Sequence, residues 1–541
     1  ESRIKTRWFV ADSTGEAIRV TVRKYNPYFS IDSSEYWQRV VEGLSEENDL
    51  AVASLERFSK DGEEGMLLRM RDSNSSRQIL HKVIVSHHMR YLLTSLTDSA
   101  AGPSDFVKGF FETFRPAADP MDSTMLFSPQ GTALIRNFHA ADSAVRASAR
   151  MSVGIADFRD ADAPGIIRLI KGWSAKEKDY LSVKSSLLGS LGTLHHPDVL
   201  PYLKSAYLAA EDTSLLQQAV ARALLMQKTT ASNTLFKELV LTDIPILSHA
   251  DRIYDWFFPM YDTLQLSPGL FPELLQLTAL SEYKSNIYRF MAKAADSNAL
   301  APALYEDHIG QIAFDARGAL QALVSESQEQ DEDPEGGQGF EPADDEIEQF
   351  AVLLLPFREK NRNAARFFNS LEKLRQPAQQ ISLISLYLRR GVTVKDSLLE
   401  AIASQDLYRA RLWAELESIG KSARFPESYR KQELLARSAL VAAPALDNRL
   451  DSIVYLGKQA TTFRLKKGTI YFYKCRIRNL DEWFLAVSGL QPENAAQVGS
   501  SIALLEVADK PMNNKESVVL QQEKLLRKAR YKSRMRAMYE D

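Results

Sequence analysis

Over residues 187–228 an apolar pattern of helical period is broken at the turn Gly192-Thr193-Leu194-His195-His196-Pro197-Asp198, resumes, breaks at a second polar turn and resumes again. Leu187, Leu188 and Leu191 close one helix, and Leu200, Tyr202 and Leu203 follow Pro197 and Asp198 into the next. A helix pair of this kind cannot bury its apolar face alone, so the pattern predicts stacking on further pairs. Stacked pairs offer surface to partners and, by default, no catalytic cleft.

The rest of the chain bounds this reading. Its 541 residues exceed one core and suggest roughly three domains. A formal net charge of -3 excludes a global basic field, so no nucleic-acid partner is expected. The single cysteine, Cys475, excludes an intrachain disulfide and a cysteine-built zinc site. No window approaches the roughly 20 continuous apolar residues of a membrane span, which predicts a soluble chain. No cationic and apolar leader pattern follows Glu1, so localisation has to be read from elsewhere.

Periodicity divides the chain. Residues 1–118 alternate in twos, with strands expected at 7–10, 18–22, 50–58, 64–71, 78–86 and 91–97, and with Asp12-Ser13-Thr14-Gly15-Glu16 as the first turn. A helix is expected near 36–44, and Ser104 caps another carrying Phe106, Phe110, Phe111 and Phe114. This predicts an α+β domain, an antiparallel sheet covered by one or two helices. Residues 122–325 switch to a period of 3.6, with helices including 175–191, 199–209, 213–226, 231–241, 253–266, 269–277, 284–295 and 299–324. Short connections favour antiparallel neighbours, and Pro164, Pro197, Pro245, Pro259, Pro268, Pro272 and Pro302 fall near expected starts and turns. Residues 326–348 are acidic and hold Gly336, Gly337 and Gly339, which predicts a solvated linker or loop. The helical array is expected to continue over 349–450, followed by a small β element at 451–510 and a basic helix at 511–541.

Several patterns invite chemistry. His195 and His196 beside Asp198 suggest a metal site, but adjacent histidines rarely converge on one ion, and turn and cap roles are the expectation. On a strand, His87 and His88 would point to opposite faces. Ser488 lacks the flanking glycine of a nucleophile elbow, and the 336–339 glycines lie in acidic chain that would repel phosphate. No catalytic, cofactor-binding or metal-ligating residue is therefore assigned. The apolar run Trp256, Phe257, Phe258, Met260, Tyr261 and Leu264 fits a buried helix. The strongest local charge is Lys524, Arg527, Lys528, Arg530, Lys532, Arg534 and Arg536, which would suit an anionic partner such as a membrane surface, or internal pairing with acids such as Glu516 and Glu523.

The stretch from Leu191 to Leu203 resembles a HEAT-type repeat joint. With Leu224-Leu225-Met226-Gln227-Lys228-Thr229, Phe236-Lys237-Glu238-Leu239 and Leu270-Phe271-Pro272-Glu273-Leu274-Leu275-Gln276-Leu277, it is similar to the long C-terminal extension of some bacterial envelope proteins of the TraB/GumN family. That family's domain carries paired Gly-x-x-His motifs of a metal-dependent hydrolase; Gly192-Thr193-Leu194-His195 matches one in letters, between helices and without a second copy. The first domain is similar in outline to PsbP-like folds. The resemblance implies a periplasmic or envelope-associated protein. The expected fold is mainly α, a HEAT-like α-solenoid preceded by a small PsbP-like α+β domain and followed by a small β element and a basic helix. The expected function is a non-enzymatic scaffold or adaptor, without cofactor, that binds protein partners in a larger assembly. The alternative is a regulatory or substrate-binding part of a TraB/GumN-like metal-dependent hydrolase.

Overall fold

The computed structural model of the chain describes all residues except 1–2, 47–50, 61–62, 72–75, 117–124, 178, 212, 247–255, 333–341, 375, 444–445, 447–449, 464–465, 479, 501 and 540–541. The chain forms two compact units, one of Glu1–Pro27, Ile31–Phe127 and Ile384–Asp541, the other of Tyr28–Ser30 and Ser128–Leu383.

The first unit begins with β1 (Arg3–Val10), β2 (Ala17–Lys24), helix α1 (Ser33–Glu46), β3 (Ala51–Lys60), β4 (Glu63–Arg71), β5 (Arg77–Ser86), β6 (Met89–Asp98) and helix α2 (Asp105–Thr113). The strands form one antiparallel sheet in the order β1-β2-β6-β5-β4-β3. Gly15, at φ 70°, makes the β1–β2 turn, donating its amide to the carbonyl of Ala11 at 2.8 Å. Asp32 opens α1 by accepting the amides of Ser34 and Glu35 at 2.9 and 3.1 Å. Ser104 caps α2 through the amide of Val107 at 3.3 Å. Because side chains alternate across a strand, the sheet has two faces of different composition. On one, Val107 and Phe111 of α2 bury Ile18, Val20, Leu80 and Leu93. On the other, Leu44 of α1 packs on Leu68, Met70 and Ile79.

The second unit is helical: α3 (Gly131–Asn137), α4 (Ser143–Met151), α5 (Ala163–Gly172), α6 (Tyr180–Ser190), α7 (Val199–Leu208), α8 (Ser214–Met226), α9 (Thr230–Thr242), α10 (Ser281–Asp296), α11 (Ile309–Glu332), α12 (Pro342–Leu354), α13 (Arg362–Leu371) and the start of α14 (Pro377–Arg389). The joint at Gly192 follows from close approach. A methyl group there would stand 2.9 Å from Ala223 Cα and from Met226 Cβ of α8. Buried Gln227 ties the same turn, donating to the carbonyls of Leu191 and Leu194 at 2.6 and 2.8 Å.

The remainder of the first unit comprises α15 (Asp396–Ala403), α16 (Asp406–Ser418), α17 (Gln432–Val441), β7 (Leu450–Phe463), β8 (Lys466–Ile477), β9 (Trp483–Gln491), β10 (Leu504–Pro511) and α18 (Val518–Tyr539). The four strands form an antiparallel meander in the order β10-β9-β8-β7. Ala436 and Leu440 of α17 pack on Tyr471, Tyr473, Cys475 and Ala486, and Leu525, Leu526 and Ala529 of α18 pack with Ile470, Phe472, Leu485 and Val487. The period-two alternation of β8 sends these two sets of residues to opposite faces. Gln432 joins the layers, accepting from the Tyr471 hydroxyl at 2.8 Å and donating to the carbonyls of Pro492, Asn494 and Gln497 at 2.8, 3.0 and 2.7 Å.

This architecture corrects the expected mainly α, HEAT-like α-solenoid with minor flanking elements. Six strands near the N-terminus and four near the C-terminus form antiparallel sheets with helices of their own. Among the described residues, the helical stretch that lies between them in the chain is interrupted by 3-10 turns. Where helices were expected over 253–266 and 269–277, Trp256 and Phe257 are α-helical and the described chain then runs in 3-10 turns at Phe258–Met260, Leu264–Gly269 and Glu273–Ala279. Pro259, Pro268 and Pro272 withhold the amide donors that α-helical turns need there. The helix expected over 299–324 starts only at Ile309, after two 3-10 turns, and continues to Glu332. The expected acidic linker is thus helical at both ends, since α12 opens at Pro342; its three glycines lie outside the described residues.

Replacing Gly192 with Ala should cost about 1–3 kcal/mol, because the methyl meets backbone of α8 that has no rotamer to yield. The urea midpoint of the variant is the measurement.

Candidate binding site on the N-terminal sheet

The α1 face of the first sheet is incompletely covered. Cross-strand register sets Trp8 opposite Arg19, Arg19 opposite Thr94, Thr94 opposite His81, His81 opposite Leu68 and Leu68 opposite Leu55, a row crossing all six strands. Leu44 meets this face at Leu68, beside Met70 and Ile79. Over the β1, β2 and β6 part lies a cavity of about 500 Å³, lined by Trp8, Arg19, Thr94, Leu96 and Ile79, with Glu16, Arg77 and Asp98 also on its wall. Its size falls within the range of small-ligand sites.

His81 lies in the row, 1 % exposed, with Nδ1 2.9 Å from the Thr94 hydroxyl. Burial pushes its pKa down to about 3, and the nearby charge of Arg19 adds to the effect. The imidazole is therefore neutral at ordinary pH. Its Nε2 is enclosed and has no hydrogen-bond partner among the described residues. The two wall carboxylates have local donors. Asp98 accepts the Ser76 hydroxyl at 2.6 Å and the amides of Ala100 and Ala101 at 2.7 and 3.0 Å, which hold its pKa below the usual range. Glu16 accepts the Thr14 hydroxyl at 3.1 Å.

The residues singled out in the sequence lie elsewhere. In α18, Lys524 pairs with Glu516 at 2.7 Å, Lys528 pairs with Asp509, and Arg527 stands 4.0 Å from Glu523. Arg530, Lys532, Arg534 and Arg536 continue the same helix. The turn before α7 holds His195, whose amide donates to Asp160 at 2.7 Å, and His196, whose Nδ1 accepts the amide of Asp198 at 3.2 Å. Instead of lying on a strand, His87 and His88 form the β5–β6 turn, with His87 at φ 54° and His88 buried. From the apolar run, Trp256, Phe257 and Met260 are buried while Phe258 is 63 % exposed. Cys475 is buried, and burial pushes its thiol up to about 12. Among the described residues no group of three or more His, Cys, Asp or Glu is placed to hold a metal ion, and no helix is long and apolar enough to cross a membrane.

The composition of the cavity was not read from the sequence, because Trp8, Arg19, Thr94 and His81 are 86 residues apart at their extremes, from 8 to 94. The available signal was a polar pair, His81-Lys82, between the apolar residues Ile79-Leu80 and Val83-Ile84-Val85. No family model, no curated protein and no solved structure matches this chain.

The unfolded chain takes up a proton on His81 near pH 6.5, which the folded chain refuses until about pH 3. Stability should therefore fall as pH drops through this window, by up to about 1.4 kcal/mol per pH unit from this group. Urea midpoints against pH should show a shallower acid slope in His81→Leu; an unchanged slope would contradict the buried neutral imidazole.

Proposed function

We propose that this chain is a non-enzymatic adaptor that holds a protein partner by adding one of the partner's extended segments to β1. The observation that carries the reading is the state of that strand. β1 ends the sheet order and, among the described residues, pairs with β2 alone, and Ile4, Trp8, Phe9 and Val10 are 47, 49, 40 and 58 % exposed. An edge strand offers unpaired main-chain donors and acceptors to another chain, and large apolar side chains on it add affinity. Lys5 and Arg7 alternate with Ile4, Trp8 and Val10 on the strand. Such cations discourage self-pairing and favour a partner strand that alternates acidic and apolar residues. A place at the bacterial envelope rests on the TraB/GumN resemblance and belongs to the same proposal.

The experiment is a selection of displayed random peptides against the intact chain, with an Ile4→Asp/Val10→Asp variant as counter-target. Both positions are exposed, and circular dichroism checks that the variant keeps its fold. Enriched peptides should alternate acidic and apolar residues, slow hydrogen exchange at β1 amides, and bind the variant at least about tenfold more weakly, about 1.4 kcal/mol. Failure to enrich any peptide, or peptides that bind both proteins equally without protecting β1, would overturn the reading.

A further inference from the structure

A groove of about 650 Å³ lies between α6 and α8 in the second unit. Its α6 wall is Ser182, Ser185, Ser186, Gly189 and Ser190, which recur three and four residues apart and so share one helix face. Leu215, Gln218, Ala219, Arg222 and Met226 form the α8 wall by the same spacing. The groove is open at its glycines: a methyl group added to Gly189 or to Gly154 would meet no atom within 4 Å. The serine hydroxyls are committed as donors. Ser182 donates to the carbonyl of Asp179 at 3.1 Å, Ser186 to that of Ser182 at 2.9 Å and Ser190 to that of Ser186 at 2.9 Å. Each oxygen keeps lone pairs and has no further hydrogen to give. Ser185 Oγ is enclosed and has no partner among the described residues, so this wall is already short of a hydrogen bond.

Arg222 is the one charged side chain among the described residues that line the groove, and no carboxylate accompanies it there. Its guanidinium has no hydrogen-bond or ion-pair partner among the described residues. Arg222 is exposed, so its attraction for an anion is modest by itself, and a ligand has to use the hydroxyl wall as well. A row of acceptors beside a single cation matches a molecule rich in donors that carries one negative charge. We propose that the groove binds a sugar acid, its carboxylate against Arg222 and its hydroxyls donating to the oxygens of Ser182, Ser186 and Ser190. One planar carboxylate suits one guanidinium fork, whereas a phosphate monoester brings nearly two charges to it. A fatty acid offers the charge without the donors. This site lies in the second unit and does not rest on strand addition at β1.

The experiment titrates the full chain by calorimetry with D-glucuronate, D-glucose, hexanoate and D-glucose 6-phosphate. Glucuronate should bind at least about tenfold more tightly than glucose, which lacks the charge, and than hexanoate, which lacks the hydroxyls. Arg222→Gln should lower glucuronate affinity at least about tenfold and leave that for glucose unchanged. Ser186→Ala removes one acceptor from a helix that alanine favours, and should weaken both sugars about threefold or more without affecting hexanoate. Gly189→Leu sets a side chain in the open part of the groove while favouring α6, so circular dichroism should show the fold kept and calorimetry no binding of any probe. Absence of glucuronate binding, hexanoate binding as tightly as glucuronate, or tighter binding of glucose 6-phosphate would overturn the sugar-acid assignment. Unchanged glucuronate affinity in a folded Arg222→Gln or Gly189→Leu would overturn the groove as its site. The Ile4→Asp/Val10→Asp variant should bind glucuronate normally, so failure of the groove and failure of the edge are read separately.

Discussion

Successive side chains of a β-strand leave on opposite faces, and in the first sheet that rule assigns each helix its work. Ile18, Val20, Leu80 and Leu93 share one face, and α2 covers them with Val107 and Phe111. Arg19, Thr94 and His81 are neighbours of those residues in sequence and lie on the opposite face. There α1 reaches Leu68, Met70 and Ile79, and the part over β1, β2 and β6 is left as a cavity. Site and core are thus two sides of the same strands. A one-residue slip of register would exchange them, burying Arg19 under α2 and exposing Val20.

The second sheet uses the same rule differently. Tyr471, Tyr473 and Cys475 of β8 face α17, while Ile470 and Phe472 face α18, so both sides are covered by apolar contacts. Covering both sides makes α18 a structural helix as well as a basic one. Leu525, Leu526 and Ala529 are committed to the sheet, and Lys524 and Lys528 reach Glu516 and Asp509 beside it. These exposed ion pairs contribute little to stability individually. They reduce the local field that a basic helix presents to an anionic surface.

Between the sheets, contact sets the helix joints. Gly192 is a glycine because α8 lies against it, and Gln227 is buried because two carbonyls of the turn need a donor. The aromatic residues that follow show how a helical reading fails. Trp256 and Phe257 are buried against Tyr283 and Phe290, the latter stacked at 4.8 Å from Phe257, yet the backbone beneath turns at Phe258–Met260 instead of continuing as an α-helix. Apolar content identified a core segment there. Proline decided that its backbone was not a regular helix.

Local chemistry was legible residue by residue. Alternation located the strands of the first sheet, Ser104 marked a cap, Gly15 lay in a turn, and the period of 3.6 located α6 to α9. These depend on neighbours within a few positions, and the sequence carries them directly. β10 escaped notice because Leu504-Leu505-Glu506-Val507-Ala508-Asp509 is short and only loosely alternating. The solenoid expectation failed for a related reason: helix pairs can be counted in sequence, but whether they repeat depends on packing between them. The cavity was beyond reach altogether. What the sequence by itself determined was which segments extend, which coil and where each may stop, since φ, capping and periodicity are local. Only the tertiary structure decided that Trp8, Arg19, Thr94 and His81 stand in one row and that α1 leaves part of their face uncovered, because strand register and helix placement are set by contacts between segments far apart in the chain.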